Sequence, residues 1–96
     1  MSDKIHIRQA DVTKLPRRGA KKYSMVCANL ISTLLISEQA RIVATVRPGG
    51  VLVLAGILQK EFPQVRAVYE KAGLRLMAER AENEWQSGAF VLLENC

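Results

Sequence analysis

Two apolar runs constrain the fold of this chain more than any other feature. The first reads Tyr23-Ser-Met-Val-Cys-Ala-Asn29-Leu30. The second reads Arg47-Pro-Gly-Gly50-Val-Leu-Val-Leu-Ala55-Gly56-Ile-Leu58. Continuous apolar runs of this kind suit strands buried on both faces, as in a parallel α/β sheet. Such sheets bind ligands beyond the carboxyl ends of their strands. Asn29 and Gly56 fall at those ends. No Gly-rich phosphate or nucleoside loop occurs anywhere in the sequence.

The remaining segments fit around those two strands. Ile5 and Ile7 alternate with Lys4, His6 and Arg8, which predicts a short strand with one wet face and His6 on its polar side. Asp11 follows at its end. Pro16 and Gly19 mark a loop over Thr13–Lys22. A helix is expected from about Ser32 to Val46, with Ile31, Leu35, Ile42 and Val46 on its inner face and Glu38, Gln39 and Arg41 outside. The Arg47–Gly50 turn ends that helix. A second helix is expected from about Glu61 to Ala72, with Pro63 in its first turn, where a missing N–H is harmless. Tyr69 is placed on its flank with the hydroxyl in water. Leu74–Arg80 and Phe90–Leu93 predict two more strands, antiparallel neighbours by their short connection. Trp85, between them, is expected to anchor the hairpin from below.

At 96 residues the chain holds one small domain, and a hydrophobic content of 49% fits a globular class. No apolar run reaches the ~20 residues that span a bilayer. The start of the sequence has no signal-peptide core, so a cytoplasmic location is expected. Cys27 sits within the first apolar run and Cys96 is the last residue. No Cys/His cluster suggests a metal site or a disulfide framework. Much of the net charge of +5 comes from Lys14–Lys22. Such a run serves as a solvated loop or binds an acidic partner. No aromatic residues interleave with it, which argues against a nucleic-acid surface.

Four local patterns resemble one family, the bacterial ribosomal-protein lysine methyltransferases (PrmA-type) among the class I S-adenosylmethionine-dependent methyltransferases. Val26-Cys-Ala-Asn29-Leu30 is similar to the end of that family's fourth strand. Arg47-Pro-Gly-Gly50 resembles its turn before the fifth strand, and Gly56-Ile57-Leu58 the segment after it. Tyr69-Glu-Lys-Ala-Gly73 followed by Glu82-Asn-Glu84-Trp85 is similar to its helix end and Glu-Trp hairpin. Ser24 stands where the family usually has Asp.

The resemblance implies an α/β fold: a partial Rossmann-like sheet with strands 3, 4, 5, 6 and 7 of the class I order 3-2-1-4-5-7-6, ending in an antiparallel hairpin. It implies a single domain over 1–96, the C-terminal part of a methyltransferase domain whose first two strands and Gly-rich cofactor loop are absent. It implies S-adenosylmethionine as cofactor and a ribosomal protein as substrate, with the chain alone inactive. It points to Asn29 as the catalytic contact, to Asp11, Val12 and Asn29 for the cofactor, and to Leu30 and Gly56 for the substrate. Taken as residues alone, each keeps a plainer role: Asn29 and Gly56 as strand terminators, Asp11 as a turn or cap residue.

Removing strands 1 and 2 would bare the edge of the Met25–Ala28 strand. Three outcomes are open: pairing with a separate N-terminal half, a homodimer through that edge, or the Ile5 strand folding back beside it. A non-catalytic assembly module using the basic 14–22 loop and a sheet edge is the alternative function.

Overall fold

The computed structural model describes residues 3–16 and 21–93. Arg17 and Arg18 of the basic run, and Cys96, lie outside the described residues. Five strands form one sheet: β1 (Lys4–Ile7), β2 (Tyr23–Asn29), β3 (Val46–Leu58), β4 (Leu74–Glu82) and β5 (Trp85–Leu92). Their order is β1-β2-β3-β5-β4. β1, β2 and β3 run parallel, whereas β5 is antiparallel to both β3 and β4. That is the class I order with strands 2 and 1 taken out, as the resemblance implied.

β1 has therefore folded back beside β2, with Ile5 opposite Val26 and Ile7 opposite Ala28. Of the three outcomes left open, this is the third: β1 takes up the backbone groups of the Met25–Ala28 edge, so that edge is not bare. Three contacts fasten the start of β1. Met25 N–H and Ser24 Oγ both donate to Asp3 O, at 3.1 and 3.0 Å. Arg47 pairs with the Asp3 carboxylate at 2.6 Å. Ser24, in the position where the family usually has Asp, here ties the first strand to the second.

All the packed helices lie on one side of the sheet. The helix expected over 32–46 is two short ones, α2 (Ser32–Ser37) and α3 (Gln39–Val43), separated at Glu38 with φ −106° and ψ 19°. The Ile36-Ser37 pair is a weak helix former, so the break costs little. It lets Arg41 pair with Glu38 and also donate from Nε to Leu15 O at 2.8 Å. These polar residues, expected on an outer face, instead clamp the loop after β1. Thr45, buried, donates its hydroxyl to Ile42 O at 2.6 Å, and its own carbonyl accepts from Tyr23 N–H at 2.8 Å.

β3 begins at Val46, earlier than expected, and carries the Arg47–Gly50 turn within it. Tyr23 pairs Val46 while Met25 pairs Val51, so the turn bulges out of the strand. A Cβ at Gly50 would stand 2.8 Å from Arg47 O and 3.1 Å from Ser24 O, so only glycine fits there.

Helix α4 (Phe62–Lys71) follows a 3-10 turn at Gln59–Glu61 and starts as expected, with Pro63 in the first turn. Tyr69 corrects its expected placement. It is fully buried, and its hydroxyl donates to Leu35 O at 2.7 Å. Its ring lies 6.2 Å from that of Phe90. Burial pushes the Tyr69 phenol pKa up. Trp85 is also corrected: it is 49% exposed at the far end of the hairpin and not buried beneath it. The alternation expected over Leu74–Arg80 breaks at a bulge between Leu76 and Ala78, which leaves Ala78 exposed.

The core lies between the helices and one sheet face. Val26, Ala28, Leu52, Leu54 and Phe90 supply the sheet side, and Leu35, Ile42, Phe62, Val65 and Tyr69 supply the helix side. No helix among the described residues is long and apolar enough to cross a membrane.

Candidate functional site at the carboxyl ends of the parallel strands

β1 and β2 end within one row of each other, while β3 runs on to Leu58 against β5, and a cleft of about 700 Å³ opens where the parallel pairing stops. It is lined by His6, Arg8 and Gln9 from the end of β1, by Cys27 and Asn29 from β2, and by Val53 and Ala55 from β3. Asn29 is the last residue of β2 and pairs with Ala55, so its side chain stands at the lip.

Gly56 lies against that side chain. Its φ is +82°, a region that favours glycine. A Cβ there would meet Asn29 Oδ1 at 2.5 Å and Leu30 O at 3.3 Å. The missing side chain is thus the space that the Asn29 amide occupies. Leu30, buried beside it, donates its N–H to Ala55 O at 3.2 Å. That bond continues the β2–β3 ladder one step past the strand and fixes the backbone that carries Asn29. Asn29, Leu30 and Gly56 therefore form one cluster.

Asp11 and Val12 are not in that cluster. They belong to a single helical turn after β1, α1 (Gln9–Val12), and neither lines the cleft. Asp11 is exposed. The Val12 side chain is fully buried in the core, which leaves only its backbone to face a ligand.

His6 and Arg8 are cleft residues that sequence reasoning did not find. The signal for them was positional only. They reach the cleft because β1 pairs with β2, a pairing that stood as one of three outcomes. Arg8 brings a positive charge to the lip. The basic run is partly engaged on its own surface: Lys22 donates to Ala44 O at 3.1 Å, and Lys21 lies 5.3 Å from the Tyr23 ring centre.

Comparison with known proteins places the chain in one family. Residues 1–91 fit the family described as ribosomal protein L11 methyltransferase (PrmA). A ribosomal protein L11 methyltransferase of Bacteroides fragilis is 30% identical over 92% of this chain. One from Alkalilimnicola ehrlichii is 40% identical over 57% of it. The chain spans only 31% of the Bacteroides relative's length and 18% of the Alkalilimnicola one's.

Among solved structures, a ribosomal protein L11 methylase from Lactobacillus delbrueckii subsp. bulgaricus superposes with a TM-score of 0.70. That match has 14% identity and covers 76% of this chain and 38% of the other. The antibiotic-resistance methyltransferase Kmr gives a TM-score of 0.59 at 16% identity, over 85% of this chain and 56% of the other. At those identities the likeness is one of fold. The family match runs through both apolar strands, both of their carboxyl-end loops and most of the hairpin, so the chain belongs to the ribosomal protein L11 methyltransferase (PrmA) family.

Proposed function

We propose that this chain forms the amine-acceptor side of an S-adenosylmethionine-dependent methyltransferase site acting on a ribosomal-protein lysine. It is the C-terminal part of such a domain and needs further chain to hold the cofactor. The supporting observation is the packing of Asn29, at the end of β2, against Gly56, which lies within β3 at its register shift between Leu54 and Ile57. The amide is placed there by a backbone that accommodates no side chain opposite it.

The chemistry asks little of such a site. S-adenosylmethionine, when bound, supplies an electrophilic methyl group. The protein must align a neutral amine with it and keep water away. Asn29 Oδ1 is an acceptor without charge, and it can take a hydrogen bond from the amine while leaving the nitrogen lone pair free. Gly56 narrows the orientations open to that amide. Leu30 holds the backbone beneath it. Asp11, exposed just beyond β1, is available as an acceptor for an adenine amino group, and Val12 contributes through its main chain.

The residues present fit this acceptor role and not the whole cofactor. The sequence has no Gly-rich loop after a strand to cradle the methionine portion, and Arg8 at the lip opposes a positively charged sulfonium. No step is therefore assigned to the cofactor on this chain alone.

The test is a chimera in which this chain replaces the matched region of the Bacteroides fragilis relative. Transfer of labelled methyl groups to ribosomal protein L11 is measured. Activity is expected, with Asn29→Ala lowering it by about 100-fold or more through lost alignment. A folded chimera whose Asn29→Ala variant keeps full activity would remove Asn29 from the chemistry.

The second reading is a non-catalytic assembly module, favoured by the apolar sheet face away from the helices, where Met25 is 37% exposed. Assembly without any cofactor-dependent activity in the chimera would select that reading.

A further inference from the structure

Only Leu30 and Ile31 separate β2 from α2, so the connection begins at Asn29 and ends at Ser32. The Leu30 N–H bond to Ala55 O fixes its first half. Ile31 is 56% exposed, and its side chain adds little anchorage. The second half is fixed by a polar contact. Ser32, buried, donates its hydroxyl to Glu61 Oε1 at 2.8 Å.

Glu61 is a firm point to hold on to. It closes the 3-10 turn after β3 and leads straight into α4, whose Phe62 and Val65 are buried in the core. The start of that turn is held from the other side. Gln59 donates its N–H to Glu84 O at 2.8 Å and its side-chain amide to Asn83 O. The turn is thus fastened to both the hairpin and the core before it meets Ser32. A hydrogen bond to a carboxylate is stronger than one between neutral groups. Without Glu61 the buried Ser32 hydroxyl would lose its partner, and the connection would have to shift to find another.

We infer that Glu61 is a positioning residue: through Ser32 it holds the β2–α2 connection so that the Asn29 amide stays against Gly56. The Ser32–Glu61 bond runs from the connection after β2 to the turn after β3, and the Asn29–Gly56 contact lies between the same two segments. Glu61 does not line the cleft and acts only through Ser32. Its effect on rate rests on the acceptor role proposed for Asn29. Alignment of that kind needs firm fastening, since a displacement of about 1 Å can cost on the order of a hundredfold in rate.

Two measurements test the inference. NMR on the chain itself follows the through-space contact between the Asn29 side-chain amide and the Gly56 α-protons. The contact is expected in the parent and in Glu61→Gln, whose amide oxygen still accepts from Ser32. It is expected to be lost in Ser32→Ala and in Glu61→Ala. Thr45→Val removes another buried hydroxyl bond, at the amino end of β3, and should keep the contact. Methyl transfer is then measured in the Bacteroides fragilis chimera. Ser32→Ala and Glu61→Ala should each lower kcat about tenfold with the cofactor KM unchanged. The double variant should fall no further than either single one, and Glu61→Gln should stay near the parent. A contact that survives in both Ser32→Ala and Glu61→Ala overturns the inference whatever the rates. So does its loss in Thr45→Val, which would make the effect one of general stability. Loss of the contact with kcat unchanged would instead uphold the positioning and remove Asn29 from the chemistry, so the two failures are told apart.

Discussion

Val53 and Leu54 are neighbours on one strand and live in different environments. Leu54 is fully buried under the helices, whereas Val53 points to the uncovered face and is half-buried. The same contrast holds for Val26 and Cys27 on β2. Both strands spend apolar residues on both sides, yet one side is a packed interior and the other is surface. The difference teaches that this chain carries a finished core and an unfinished sheet. The cleft contrasts in the same way: the Asn29 amide is held against Gly56 at its lip, while the sequence has no Gly-rich loop after a strand.

Substitutions can break or sharpen that contrast. The largest effect is expected at the covered face, where Leu54→Ala should cost about 2–5 kcal/mol in a denaturant titration, because the helices above cannot collapse into the gap. A smaller loss is expected at the strand ends. Gly56→Ala should cost about 1–2 kcal/mol for forcing a side chain into a positive-φ backbone. The added Cβ would also displace the Asn29 amide, and the chimera's methyl transfer should fall with it.

Tyr69→Phe should cost about 1 kcal/mol, since it leaves the Leu35 carbonyl without its partner. It should also change the pH profile. The folded-state phenol is raised above its ordinary value of about 10, so its contribution is complete below that pH and is lost as pH rises past it, when the unfolded chain ionises first. Stability should therefore decline at high pH in the parent and decline less in Tyr69→Phe. The smallest effect is expected on the open face, where Val53→Thr should stay within about 0.5 kcal/mol. A loss there as large as at Leu54 would mean that the face is covered after all.

Much of this was legible in the sequence because it rests on local patterns. The two apolar runs located β2 and β3, and the end of the first located Asn29; Gly56, expected to end its strand, instead lies within β3, which continues to Leu58. Pro63 and Gly73 bounded α4, with Gly73 at φ +98° just past its end. Tyr69 was misplaced because helical spacing does not show a partner carbonyl from another helix; Leu35 supplies one only in three dimensions. The single helix expected over 32–46 failed because Arg41 makes its contacts across the break, to Leu15. The pairing of β1 with β2 could not be chosen in advance, since strand alternation specifies faces and not neighbours. His6 and Arg8 entered the cleft through that pairing, and the one-sided covering of the sheet became visible only with the helices in place.

The central claim is that this chain holds the acceptor side of a methyltransferase pocket and not a complete one. Calorimetric titration of the purified chain with S-adenosylmethionine tests it most directly. No saturable heat is expected up to millimolar cofactor, about the weak limit of specific small-ligand binding. One-site binding in the micromolar range, lost in Asn29→Ala, would contradict the claim and show that the cleft is sufficient as it stands.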